Sequence, residues 1–135
     1  MKKKGNRMTN TIVAVLVAAS TLHGIALAQI GSNRIQLQRH DLSIPGREVV
    51  QVVVTISAGE TTPKHKHPGE EIIYALEGSL EHFIEGRNSV IVKAGEVVFV
   101  PAETIHSAKN VGNGDAKELA TYVVEKGKPL ITLIK

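Results

Sequence analysis

The chain has 135 residues, 42% of them apolar and 21% charged, with 12 Gly, 5 Pro and no Cys. That composition fits one ordinary globular domain and excludes a disulfide scaffold, a collagen-like repeat and a wholly disordered tail. The formal charge of +3 does not point to nucleic acid: Lys2, Lys3, Lys4 and Arg7 supply it, and the rest of the chain carries 12 basic against 13 acidic groups, so no basic surface is expected for a polyanion.

In chain order, residues 1–28 have the three-part layout of a secretory signal. A basic start is followed by an apolar stretch from Ile12, with Ala26-Leu27-Ala28 as a small-residue cleavage site. The unbroken apolar run from Ile12 to Ala19 is eight residues, far short of the roughly 20 that a membrane span needs. The expectation is export, cleavage before Gln29 and no stable membrane insertion afterwards. The mature protein would then work in the periplasm or outside the cell and take up any metal there.

Residues 29–38 lack a periodic pattern and read as a flexible start, leaving 39–135 as the folded domain. From there, short apolar runs alternate with turn residues, and no long stretch repeats every 3.6 residues, which predicts an all-β domain. The expected strands are Val49 to Ile56, Ile72 to Leu76, Leu80 to Ile84, Val90 to Lys93, Val97 to Val100, Ala120 to Val124 and Leu130 to Ile134. Turn segments such as Pro68-Gly69, Glu77-Gly78 and Gly127-Lys128-Pro129 separate them and supply permissive or fixed φ for the bends. So many short strands hide one face each by closing into a small sandwich or barrel. Val52-Val53-Val54 and Ile72-Ile73 are apolar on both faces, so part of the outer surface is expected to be covered, by a second copy in a homodimer or by the C-terminal segment folding back.

The residues that carry chemistry are four. His65 and His67 are two apart, so on an extended strand both imidazoles point to one side, and Glu71 keeps that parity beyond the bend at Pro68-Gly69. His106 follows Pro101 after the run ending at Val100, from where it can close the same site. Three imidazoles and a carboxylate form a mixed nitrogen and oxygen donor set suited to a first-row divalent cation, with positions left open for water, substrate or O₂. Glu70 has the opposite parity, His82 is expected on the outer face, and Lys64 and Lys66 are expected to face water. Tyr74 and Phe83 read as packing residues.

These residues resemble the cupin superfamily, whose two motifs both occur. G-x5-H-x-H-x3-E-x6-G is met in full by Gly59, His65, His67, Glu71 and Gly78, and G-x5-P-x-G-x2-H-x3-N is met by Gly95, Pro101, His106 and Asn110. At about one in twenty per position, nine such matches in a given frame arise by chance on the order of once in 10¹². Glu103 stands where the second motif has Gly, so it either turns differently or aims a carboxylate at the pocket mouth. The resemblance implies a small jelly-roll barrel with His65, His67, Glu71 and His106 as metal ligands, the metal being Fe, Mn, Zn, Ni or Cu according to supply.

The superfamily includes dioxygenases, decarboxylases, isomerases and non-catalytic binders, and fold alone does not choose among them. With two Tyr, two Phe and no Trp in the chain, a small ligand is expected rather than one that needs a stacking surface. The first expectation is a metal-dependent oxidoreductase of the dioxygenase type acting on a small oxygenated molecule, with Glu71 and Glu103 as the proton-transfer candidates. The alternatives are an exported module that binds metal or a small ligand without turnover, and a cupin isomerase or decarboxylase.

Overall fold

The computed structural model describes residues 32–135; the expected leader and its cleavage point lie outside them. Among the described residues there is no helix. Ten strands are present: β1 (Asn33–Asp41), β2 (Arg47–Ile56), β3 (His65–Lys66), β4 (Gly69–Glu77), β5 (Ser79–Ile84), β6 (Val90–Lys93), β7 (Val97–Val100), β8 (His106–Asn110), β9 (Ala116–Glu125) and β10 (Thr132–Leu133). They form two five-stranded antiparallel sheets in the orders β1-β2-β9-β4-β7 and β10-β3-β8-β5-β6.

The long strands β2 and β9 show why the sheets close on each other. Every second residue of β2, from Glu48 through Val50, Val52 and Val54 to Ile56, is buried, and so are Ala116, Glu118, Ala120, Tyr122 and Val124 of β9. This period of two matches the pleat. Val50, Val52, Val54, Ile56, Ala120, Tyr122 and Val124 of the first sheet pack with Leu80 and Ala108 of the second in one core, so the two inner faces meet as a jelly roll. A smaller cluster of Ile73, Ile84 and Val100 packs with Val98.

Two glycines are required by geometry. Gly78 joins β4 to β5 at φ +76, where a side chain would also strike Ala116, and only glycine takes that backbone at no steric cost. Gly69 opens β4 so close to β9 that a Cβ would sit 2.1 Å from the Val123 carbonyl oxygen.

Part of the segment expected as a loose start is a strand. Residues 33–38 form most of β1, which pairs along β2 with a bulge between Gln36 and Gln38. Its side chains are almost all exposed, so it is held by backbone hydrogen bonds at the sheet edge and not by an apolar face, which is why no pattern announces it. The C-terminal segment does fold back, but onto β3 of the second sheet. The outer face of the first sheet remains open, with Ile72 45% and Tyr74 44% exposed.

Candidate metal centre

His65 lies on β3 and His106 opens β8, and the two are direct cross-strand partners. His67 follows in the link to β4, and Glu71 on β4 pairs with Tyr122 of β9 on one side and Val100 of β7 on the other. Two strands of one sheet and one of the other therefore bring the four residues together, and all four are buried. One donor atom from each of His65, His67 and His106 lies within 4.8 Å of the others. Glu71 Oε2 adjoins two of them, at 3.3 Å from His67 Nε2 and 3.0 Å from His106 Nε2.

The outer nitrogens of the imidazoles are engaged. Nδ1 of His65 donates to the Pro63 carbonyl oxygen at 2.7 Å, Nδ1 of His67 to Leu130 at 2.6 Å and Nδ1 of His106 to Thr104 at 2.9 Å. A carbonyl only accepts, so each Nδ1 carries the proton and each neutral ring turns an Nε2 lone pair inward. His67 Nε2 and Glu71 Oε2 are buried without a hydrogen-bond partner. Lone pairs facing lone pairs in a dry interior call for positive charge between them, supplied by a second proton on an imidazole or by a divalent cation. Burial and the nearby His106 pull His65 down to about 4, which keeps it an unprotonated donor at neutral pH. Although burial works against ionisation, the facing His106 and His67 side chains hold the Glu71 carboxyl well below the carboxylate range. For His106 burial acts downward, but the facing Glu71 carboxylate outweighs it and raises its pKa. Three neutral nitrogens and one carboxylate, each braced from outside, fit a first-row divalent cation.

The same cleft runs deeper. Besides His65, Glu71 and His106 it is lined by Arg34, Thr62, Ile73, His82, Ala108 and Glu118. The whole cleft has room for about one water molecule. His82, expected on the outer face, is instead buried with Leu80 and Ile84, whose parity it shares on β5. Its Nε2 is 3.5 Å from Glu118 Oε2. Burial pulls His82 down to about 4, while burial and the charge of Glu71 push Glu118 up to about 8, so both are neutral at pH 7. Arg34 of β1 donates to the Tyr122 hydroxyl at 2.5 Å, and the Tyr122 ring packs on His67 with centroids 4.6 Å apart.

Glu103 adopts φ 58 itself, so the bend that glycine usually makes is kept at the cost of a strained residue. Its carboxylate points to Lys66, at 2.6 Å, and the hydrogen bond from Lys66 holds it below the usual range. It is not among the residues that line the cleft. The sequence reading missed Arg34, Glu118 and the inward turn of His82. Parity could have found two of them: His82 falls in step with Leu80 and Ile84, and Glu118 with Ala116, Ala120 and Tyr122. Arg34 has no such signal.

A family model described as "Cupin domain" matches residues 52–128. A curated relative, the oxalate-binding protein of Thermotoga maritima, is 39% identical over 67 residues, which is 49% of this chain and 54% of that protein; the chain thus spans about half the length of that relative. Among solved structures, recombinant oxalate oxidase in complex with glycolate is 26% identical with a TM-score of 0.63 over 79% of this chain and 57% of that one. A DMSP lyase of Ruegeria pomeroyi is 27% identical with a TM-score of 0.57 over 63% of this chain and 42% of that one. With more than half of the chain matched by the family model and both motifs assembled in one buried site, the chain belongs to the cupin family.

Proposed function

We propose that this cupin holds a divalent first-row cation through His65, His67, His106 and Glu71 and uses it to bind a small carboxylate of the oxalate class. The observation that carries this is the inward set of lone pairs, three of them fixed by Nδ1 bonds to backbone carbonyls. A cation bound there supplies Lewis acidity to ligand oxygens. The protein's own part is to orient the imidazoles, to hold Glu71 ionised and to exclude water. The oxalate-binding relative supports this ligand class. The basic start and the Ala26-Leu27-Ala28 site support an exported place of work.

Oxidative turnover of the same ligand is the second reading, favoured by the likeness to oxalate oxidase. Calorimetric titration of oxalate onto metal-loaded and metal-stripped protein tests the binding, and oxygen uptake after anaerobic loading with Fe(II) or Mn(II) tests the turnover. Heat of binding only when metal is present is the expected result. Equal binding without metal rejects the proposal, and binding without oxygen uptake leaves the binder as the function.

The partner supported best is a second copy. On the outer face of the first sheet, register aligns Ile35, Val53, Leu119, Tyr74 and Val97 in one row across all five strands. Ile72 and Phe99 stand beside it in the next row. The five strands, of 9, 10, 10, 9 and 4 residues, present a face of roughly 670 Å² at ordinary strand spacing, somewhat under the roughly 800 Å² that one partner contributes to a standard interface.

A further inference from the structure

A second cavity, of about 270 Å³, lies against the second sheet and shares only His106 with the metal cleft. His106 borders both spaces, but its Nε2 is committed to Glu71, 3.0 Å away. The cavity opens where β3 stops short. That strand gives β8 a single cross-strand pair, His65 with His106, and Lys64 before it already lies outside the sheet. On the other side β5 ends at Ile84, and the turn into β6 passes through Gly86 at φ 79. The Glu85 N–H donates to the Ile105 carbonyl at 2.9 Å and the Arg87 N–H to the Ile84 carbonyl at 3.1 Å, so backbone bonds fix the walls in place.

The lining says what the cavity takes. Ile84 is buried and Ile105 half-buried, and Phe83 keeps 40% of its surface exposed, so apolar surface is within a ligand's reach. Lys64 and Arg87 are exposed at its edge, and Glu85 is the one acidic residue that lines it. Among the described residues none of these three charges stands in an ion pair. Nη1 of Arg87 donates to the Phe99 carbonyl at 3.3 Å, which leaves the other guanidinium donors for a carboxylate. Two cations against one carboxylate give a net charge of one, which a monoanion matches. An apolar lining with a few convergent polar groups is the usual make-up of a small-molecule site, and such sites run from roughly 300 to 1,000 Å³. A volume just under that range suits a body of about one ring or one branched chain.

We propose that this cavity is a second binding site, independent of the metal, for a small monocarboxylate with an apolar body. The carboxylate sits at Lys64 and Arg87, and the body lies against Phe83, Ile84 and Ile105. The test is an NMR titration of the Zn(II)-loaded chain with benzoate, with its neutral isostere benzamide and with acetate, which lacks the body, repeated with chelator present. Saturable shifts of the backbone amides of residues 83–87 and 105–107 are expected with benzoate, with and without metal, and much weaker ones with the other two. Lys64→Gln with Arg87→Gln should weaken benzoate about tenfold, as two exposed charge contacts of a few-fold each, and Glu85→Gln should tighten it. All three side chains are exposed, so these changes leave the fold intact. No saturable shift with benzoate, an equal response to benzamide, or unchanged affinity in the double variant overturns the site. Shifts that vanish with chelator also overturn it, because they put the anion on the metal and leave the metal-centred reading standing.

Discussion

Glu118 gives the sharpest test of the electrostatics, because it is a carboxyl group that the fold keeps neutral. Its pKa stands at about 8 in the folded chain against 4.5 for an ordinary glutamate. Between those values the folded state holds a proton that the unfolded state has released, so the folded chain loses stability as pH rises from 4.5 to 8. At about 1.4 kcal/mol per unit, a shift of this size amounts to at most about 5 kcal/mol. His82, pulled down to about 4, acts in the opposite direction between pH 4 and 6.5, but it is present in both proteins and cancels in their difference. Replacing Glu118 by Gln removes the ionisation and keeps a neutral donor. Urea unfolding of both proteins with chelator present, from pH 5 to 9, is the assay. The expected result is a Glu118→Gln advantage of several kcal/mol at pH 8 that shrinks steadily towards pH 5. A difference that does not change with pH, or one that favours the wild type more as pH rises, refutes the reasoning.

Two further outcomes follow from the geometry. Glu103→Gly relieves the left-handed backbone at φ 58 and gives up only an exposed pair with Lys66, which contributes little; thermal unfolding should show a gain of about 0.5 to 1 kcal/mol, and a loss contradicts the strain argument. Tyr74→Lys and Val97→Lys place charges in the apolar row of the first sheet, so sedimentation should show wild-type dimers and variant monomers. A monomeric wild type at the same concentration removes the interface.

Much of the site was legible because the motif positions fix both parity and turns. His65 and His67 declare one face by their spacing, and Pro68-Gly69 returns the chain so that Glu71 meets them. Strand boundaries were legible where β-branched runs ended in turn residues, as in β6 and β7, whose limits match the expected ones. Strand β1 was not legible because an edge strand held by backbone bonds needs no apolar alternation, and β3 is only two residues long. His82 was misread for a different reason: a polar side chain was assumed to face water, although its neighbours on β5 put it inside. Glu118 escaped because the expected strand began at Ala120, two residues too late to include it. The deeper polar wall of the cleft was thus lost through three separate local readings, and only tertiary packing assembles it.

Function at this site depends most on one cation resting where the three imidazoles and Glu71 converge. Elemental analysis after equilibrium dialysis of the wild type, His65→Ala, His106→Ala, the double variant and His82→Ala measures this directly. One metal ion per chain in the wild type and in His82→Ala, with loss of the stoichiometric ion in the other three, is the predicted result. Full metal retention in the double variant would contradict it.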